Sequence, residues 1–98
     1  MVVISYSSLR AFIIKHAQSK DALNNWYRLA SQADWSNFHE LKDMFGSVDS
    51  IGNDRYVFNV KGNSYRLICL IFFDVRTVYI RFVGSHAEYD KLKDCSMA

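Results

Sequence analysis

The spacing of apolar residues along this chain changes period once. In the first half the period is helical. After a short apolar strand, VVIS (2–5), Leu9, Phe12, Ile13 and Ala17 recur at helical spacing. Ser7 is placed to cap that helix, which the pattern carries through about Ala17. Ser19 is placed to cap a second helix, with Ala22, Leu23, Trp26, Tyr27, Ala30 and Ala33 along its apolar stripe. Asn37 followed by Glu40 is a capping-box pattern that opens a short helix through Phe45. Gly46 suits a left-handed residue ending it.

Beyond these helices the period becomes two. RYVFNV, SYRLICLIFF and TVYIRFV are rich in β-branched and aromatic residues and are separated by turn residues. A tight turn at Gly62-Asn63 sets Lys61 opposite Ser64, Asn59 opposite Arg66 and Phe58 opposite Leu67. One sheet face then collects Tyr56, Phe58, Val60, Tyr65, Leu67, Cys69, Ile71 and Phe73, and it is apolar enough to pack on the helices. The other holds Val57, Asn59, Lys61 and Arg66. Strict alternation in the last strand adds Val78, Ile80 and Phe82 to the apolar face. It sends Arg81 to the face of Arg66, because a one-residue slip would bury Arg81. The expectation is an α+β fold, with N-terminal helices on one face of a mainly antiparallel sheet and a short C-terminal helix.

Composition narrows the classes. Ninety-eight residues, half of them apolar, imply one domain over 1–98 that folds without disulfides, with a tail at about 93–98 expected to be disordered. No apolar stretch approaches the roughly 20 residues of a membrane span, and the start lacks a signal-peptide core. Cys69 lies in an apolar run and Cys95 in the tail, so both read as free thiols in a reducing compartment, the cytoplasm. The net charge of +2 is unevenly spread: residues 55–83 hold Arg55, Lys61, Arg66, Arg76 and Arg81 against Asp74 alone. That patch fits an anionic partner, and equally the charges that keep strand edges soluble. No CxxC, HExxH, GxGxxG, Walker or GxSxG pattern occurs.

The candidate chemistry lies in GSHAEYDK (84–91). Ser85 and Glu88 form a capping box. On the helix they open, His86, Tyr89 and Asp90 share a face. His86 is either a proton-transfer group or a surface residue at a helix start. Tyr89 is either functional or an aromatic that packs the helix on the sheet, and Asp90 and Lys91 read as a solvated face. His16 and His39 are expected to be structural.

VISYSSLRAF, Trp26-Tyr27, LKDMFG (41–46), YVFNVKGNSYRL (56–67) and VYIRFVGSHAEYDK (78–91) together resemble the HigB family of toxin–antitoxin messenger-RNA endonucleases, within the RelE/ParE group. The resemblance covers about residues 2–92. It implies a RelE-like fold, cleavage of mRNA on the translating ribosome, and no metal or other cofactor. It also implies neutralisation by a HigA-type helix-turn-helix antitoxin, through which the toxin meets operator DNA indirectly. The alternative within the group is a ParE-like inhibitor of a target such as DNA gyrase, and a blander one is an inactive member that only binds its antitoxin.

The residues suit RNA cleavage. Attack by the ribose 2′-OH on its own 3′-phosphate needs a base, an acid and cations for the charge developing on phosphorus. His86 is the natural acid or base, because the unperturbed histidine side chain changes charge near neutrality, and Tyr89 can share proton transfer or stack on a base. Arg66 and Arg81 suit phosphate oxygens. Lys61 suits the RNA backbone, and Asn63 or Asn59 can hydrogen-bond RNA or order the hairpin.

Overall fold

A computed structural model describes residues 1–62 and 64–92. In chain order the elements are β1 (Val2–Ile4), α1 (Tyr6–Lys15), a 3-10 turn (Ala17–Ser19), α2 (Lys20–Gln32), α3 (Phe38–Met44), β2 (Asp49–Gly52), β3 (Arg55–Val60), β4 (Tyr65–Phe72), a second 3-10 turn (Phe73–Val75), β5 (Thr77–Ser85) and α4 (His86–Asp90). The five strands form one sheet in the order β1-β5-β4-β3-β2, antiparallel except where β1 lies parallel to β5. This is the expected α+β arrangement. Strand β2, whose DSIG sequence carries little β signal, is an addition to it.

The helix stripes bury as their periodicity demands. Leu9 and Phe12 of α1 and Leu23, Trp26 and Ala30 of α2 meet Tyr56, Phe58, Val60, Tyr65, Leu67, Cys69 and Ile71 from one sheet face. Trp26 and Phe45 each set an edge against the Phe58 ring at 5.3 Å. Cys69 is a free, buried thiol, pushed well up in pKa by that burial. Cys95 lies outside the described residues.

Several helix ends differ from the sequence reading. The residue before α1 is Ser5, in the left-handed region at φ 77°, and it makes no side-chain cap; Ser7 lies inside the helix. α1 stops at Lys15, where His16 leaves helical geometry. Ser19 does precede α2, but its buried hydroxyl donates back to the His16 carbonyl at 2.6 Å. Asn37 caps α3, accepting from the Glu40 amide at 3.0 Å. The Glu40 carboxylate does not close the box on Asn37. It accepts instead from the Ser36 amide at 2.6 Å. α3 ends at Met44, and Gly46 is not left-handed; the glycines at positive φ are Gly52 and Gly62.

The β3–β4 hairpin has the expected register, with Phe58 opposite Leu67, Asn59 opposite Arg66 and Val60 opposite Tyr65. Lys61 and Gly62 carry the positive φ values, 54° and 63°. Asn63 lies outside the described residues.

Between β4 and β5 the expected alternation fails. Ile68 pairs with Phe82 and Cys69 with Ile80, so Arg81 is an extra residue in a β-bulge. Val78 and Ile80 stay in the core as expected. Phe82 does not. It faces the same way as its partner Ile68, on the side of Arg66, and Val83 takes the core-facing position. The shift arises because one inserted residue reverses the facing of every later position in a period-two strand. Alternation therefore no longer fixes the face of Arg81, which is exposed.

Candidate active site

Helix α4 grows directly out of β5 and packs against β5 and β4. Its first turn is the capping box read from the sequence: the Ser85 amide donates to Glu88 Oε1 at 3.0 Å and the Glu88 amide donates to Ser85 Oγ at 3.2 Å. The His86 amide donates to the Ser64 carbonyl at 3.3 Å. The start of α4 is thereby tied to the end of the β3–β4 hairpin, and Tyr65 stands opposite Ser85 across the sheet.

The Ser85 amide, then the Ser85 hydroxyl, hold the Glu88 carboxyl below the ordinary carboxylate range, with His16 and Lys91 adding attraction. A depressed folded pKa stabilises above the unfolded value. That contribution shrinks as pH falls below the unfolded value and is gone beneath the folded one. The cap of α4 is therefore expected to persist through the pH at which a free glutamate titrates and to fray in stronger acid. The amide chemical shift of Ser85 across an acid titration reads this directly. A transition at the free-glutamate pH would contradict it.

Gly84 lets α4 sit this close. A Cβ there would lie 2.6 Å from Phe82 Cζ and 3.2 Å from Glu88 Cβ. Gly84→Ala is expected to force the ring and the helix apart at about 1–3 kcal/mol of stability, a fall in Tm of at least about 4 °C by calorimetry. An unchanged Tm would mean that the ring swings away freely.

Around this junction the structure gathers most of the expected side chains. His86 Nδ1 lies 2.9 Å from Asp90 Oδ2, both groups about half exposed. The Arg66 guanidinium carbon lies 5.7 Å from the centroid of the Tyr89 ring. Arg66 is half-buried, and its Nη1 is shielded from solvent without a hydrogen-bond acceptor among the described residues. Arg66 is paired with Gly84 and with Asn59, which places it beside the root of α4.

The remaining candidates lie further off. Arg81 precedes Gly84 by three residues, about 10 Å along the strand. Lys61 and Asn59 sit at the hairpin end. Lys61 Nζ donates to the Gln18 carbonyl at 3.1 Å, and Asn59 Nδ2 to the Ser47 carbonyl at 3.4 Å. Both line a cleft of about 190 Å³ with Asn25, Trp26 and Phe45. His39 pairs with Asp43 at 3.5 Å on the open surface, a solvated pair away from the junction.

Two neighbours were not assigned to the site from sequence. Asp90, read as part of a solvated face, directly engages His86. Its signal was the i,i+4 spacing, which specifies that contact once the helix exists. Phe82 reaches the Arg66 face only through the bulge, which leaves no simple mark in the sequence. Among the described residues, no group of three or more His, Cys, Asp or Glu side chains is arranged to hold a metal ion. No helix there is long and apolar enough to cross a membrane.

Comparison with known proteins places this geometry in context. Residues 19–92 match a family described as HigB_toxin, RelE-like toxic component of a toxin-antitoxin system. The chain is 32% identical over 94 residues to a protein of Escherichia coli O6:H1 named mRNA interferase HigB, covering 94% of this chain and 91% of the relative. It is 33% identical over 92 residues to the mRNA interferase toxin HigB of Escherichia coli K12, covering 92% and 88%. The mRNA interferase HigB of Shigella flexneri is similar to the same extent.

Proposed function

The chain belongs to the HigB family of RelE-like toxin components, and on that premise we propose that it is an endoribonuclease that cuts messenger RNA. The observation that carries the reading is the His86–Asp90 pair set beside Arg66 on Tyr89. A carboxylate on Nδ1 holds the imidazole proton there and leaves Nε2 to face substrate. His86 Nε2 then takes the proton of the ribose 2′-OH. The 2′-oxygen bonds to the adjacent phosphorus as the P–O5′ bond breaks, giving a 2′,3′-cyclic phosphate and a 5′-oxyanion that takes a proton from solvent to become the 5′-hydroxyl.

Arg66 neutralises the charge that develops on the phosphoryl oxygens. Its half-buried guanidinium acts where water screens least. One face of Tyr89 is taken up by Arg66, so the ring serves first to aim that cation. Arg81, some 10 Å along the strand, addresses a neighbouring phosphate rather than the same one. Lys61 keeps donors to spare beyond Gln18 and, with Asn59, positions the RNA backbone at the hairpin.

The family also points to a HigA-type antitoxin as partner and to the translating ribosome as the place of cutting. Mapping of transcript 5′ ends after a brief pulse of expression tests the whole reading. Cuts within translated codons that leave 5′-hydroxyls support it. Intact messages with altered plasmid supercoiling would overturn it in favour of a gyrase-type target.

A further inference from the structure

Helices α1 to α3 pack on one face of the sheet, and the register names what the other face carries. Arg55 of β3, Leu70 of β4, Tyr79 of β5 and Ile4 of β1 stand in one row across four strands. In the next row Phe72 lies opposite Thr77, and Thr77 beside Val2. Each of these residues is next in its strand to one that packs in the core, so by alternation each points away from those helices. The Phe72 and Tyr79 rings meet at 78° with centroids 6.1 Å apart, and both stay partly exposed. Val2 and Ile4 beside them are exposed. Towards α4 the same face continues through Ile68 and Val57, which are buried yet stand outside the main core, to Arg66. Strands β1, β3, β4 and β5 contain no Asp or Glu. The acidic residue of β2, Asp49, lies at the edge of the sheet with Lys42 Nζ 3.8 Å away.

We propose that this open face is a track for the single-stranded RNA that flanks the cut, with Tyr79 as a platform for one base and Arg55 on a phosphate beside it; the proposal rests on the ribonuclease reading above. Single strands are held by cations that follow the backbone and by aromatic rings on which bases stack. The face supplies both. Arg66 stands at its α4 end, Arg81 is exposed further along β5, and Arg55 shares the row of Tyr79. A protein partner would find apolar surface here, but the run of guanidinium groups without carboxylates matches a polyanion. The face is continuous with the catalytic junction, because Arg66 and Leu70 lie on one strand. Four residues separate them, about 13 Å, so the base on Tyr79 belongs to a nucleotide beyond the scissile one. Every base has a π-face, so stacking there carries length dependence rather than sequence choice. A duplex keeps its bases in its own stack and cannot use the ring.

The test uses the full-length protein and a fluorescein-labelled 2′-O-methyl oligoadenylate of about twelve nucleotides, within the span of such platforms. The methylated sugars block attack by the 2′-oxygen, so the strand binds and is not cut. By fluorescence anisotropy, Tyr79→Ala and Tyr79→Leu are each expected to raise Kd about tenfold, the scale of one stacked base. Tyr79→Phe is expected to bind as the wild type does. Leucine keeps apolar bulk beside Phe72, and the Tyr79 ring lies outside the main core, so both variants should fold with Tm close to wild type. With cleavable RNA the same two variants should raise KM by a like factor while kcat holds. Wild-type affinity in Tyr79→Leu would overturn stacking. Equal affinity for the same oligoadenylate paired into a duplex would overturn the single-strand track. No binding of the strand by a protein that still cuts messages would remove the track, leave the nuclease intact and assign the face to a protein partner. Tyr79-dependent binding by a protein that cuts no RNA would instead sink the nuclease reading and, with it, the track as a path for substrate.

Discussion

His86→Ala is expected to reduce kcat/KM for RNA cleavage by about 10²–10⁴-fold, the range for one general acid–base group, with the fold intact. The imidazole is about half exposed, and its Nδ1 pairs with Asp90. The backbone contribution of residue 86, its amide bonded to the Ser64 carbonyl, survives the substitution, and the capping box belongs to its neighbours. Nothing in the core is touched, so Tm should stay close to wild type. Asp90→Asn should give a smaller loss, because it removes the charge that steadies the imidazolium but leaves a side chain able to hold the ring. Cleavage by His86→Ala at the wild-type rate, with unchanged stability, would take His86 out of the mechanism.

Arg66→Ala should cost about 10²–10³-fold in kcat, as removal of a group that stabilises transition-state charge does. The more telling variant is Arg66→Lys. Lysine keeps the charge but loses the planar fork that binds two oxygens and the flat stacking on an aromatic face. Arg66 lies over the Tyr89 ring, so Arg66→Lys should remain close to Arg66→Ala in kcat and recover mainly in KM. Full recovery of kcat by lysine would show that a point charge suffices, and that Tyr89 has a task other than aiming the guanidinium. Single-turnover kinetics separate the two readings. Arg81→Ala offers a control: a residue on a neighbouring phosphate should act through KM.

Much of this site could be read in the chain because it is local. The capping box at Ser85 and Glu88 needs only four consecutive residues. The His86–Asp90 contact needs only one turn of helix, although its partner was first taken for a solvated residue. The β3–β4 register, and with it the position of Arg66 opposite Asn59, followed from a short turn and from period-two alternation across it. The same alternation misplaced Phe82. A bulge changes the number of residues on one strand without changing their type, so the pattern VYIRFV reads alike with it or without it. The start of α1 was misread at Ser7, and at α3, where Asn37 caps as expected, only the return contact of Glu40 went elsewhere, to Ser36. More than one serine or asparagine stood within reach of each of these helix ends, and packing of the following turn chose among them.

Sequence alone determined what depends on near neighbours: the helical and extended periods, the apolar face of the sheet, the hairpin register and the polar group that opens the last helix. Tertiary structure decided what depends on strands and helices meeting. It inserted Arg81 as a bulge between Ile80 and Phe82, seated α4 on a glycine where any side chain would strike Phe82, and laid Arg66 over Tyr89. The physical reason is the range of the forces. Hydrogen bonding within a turn and the two backbone periods act over a few residues and leave their mark in local order. The meeting of side chains distant in sequence is fixed only when the sheet and the helices close on one shared core.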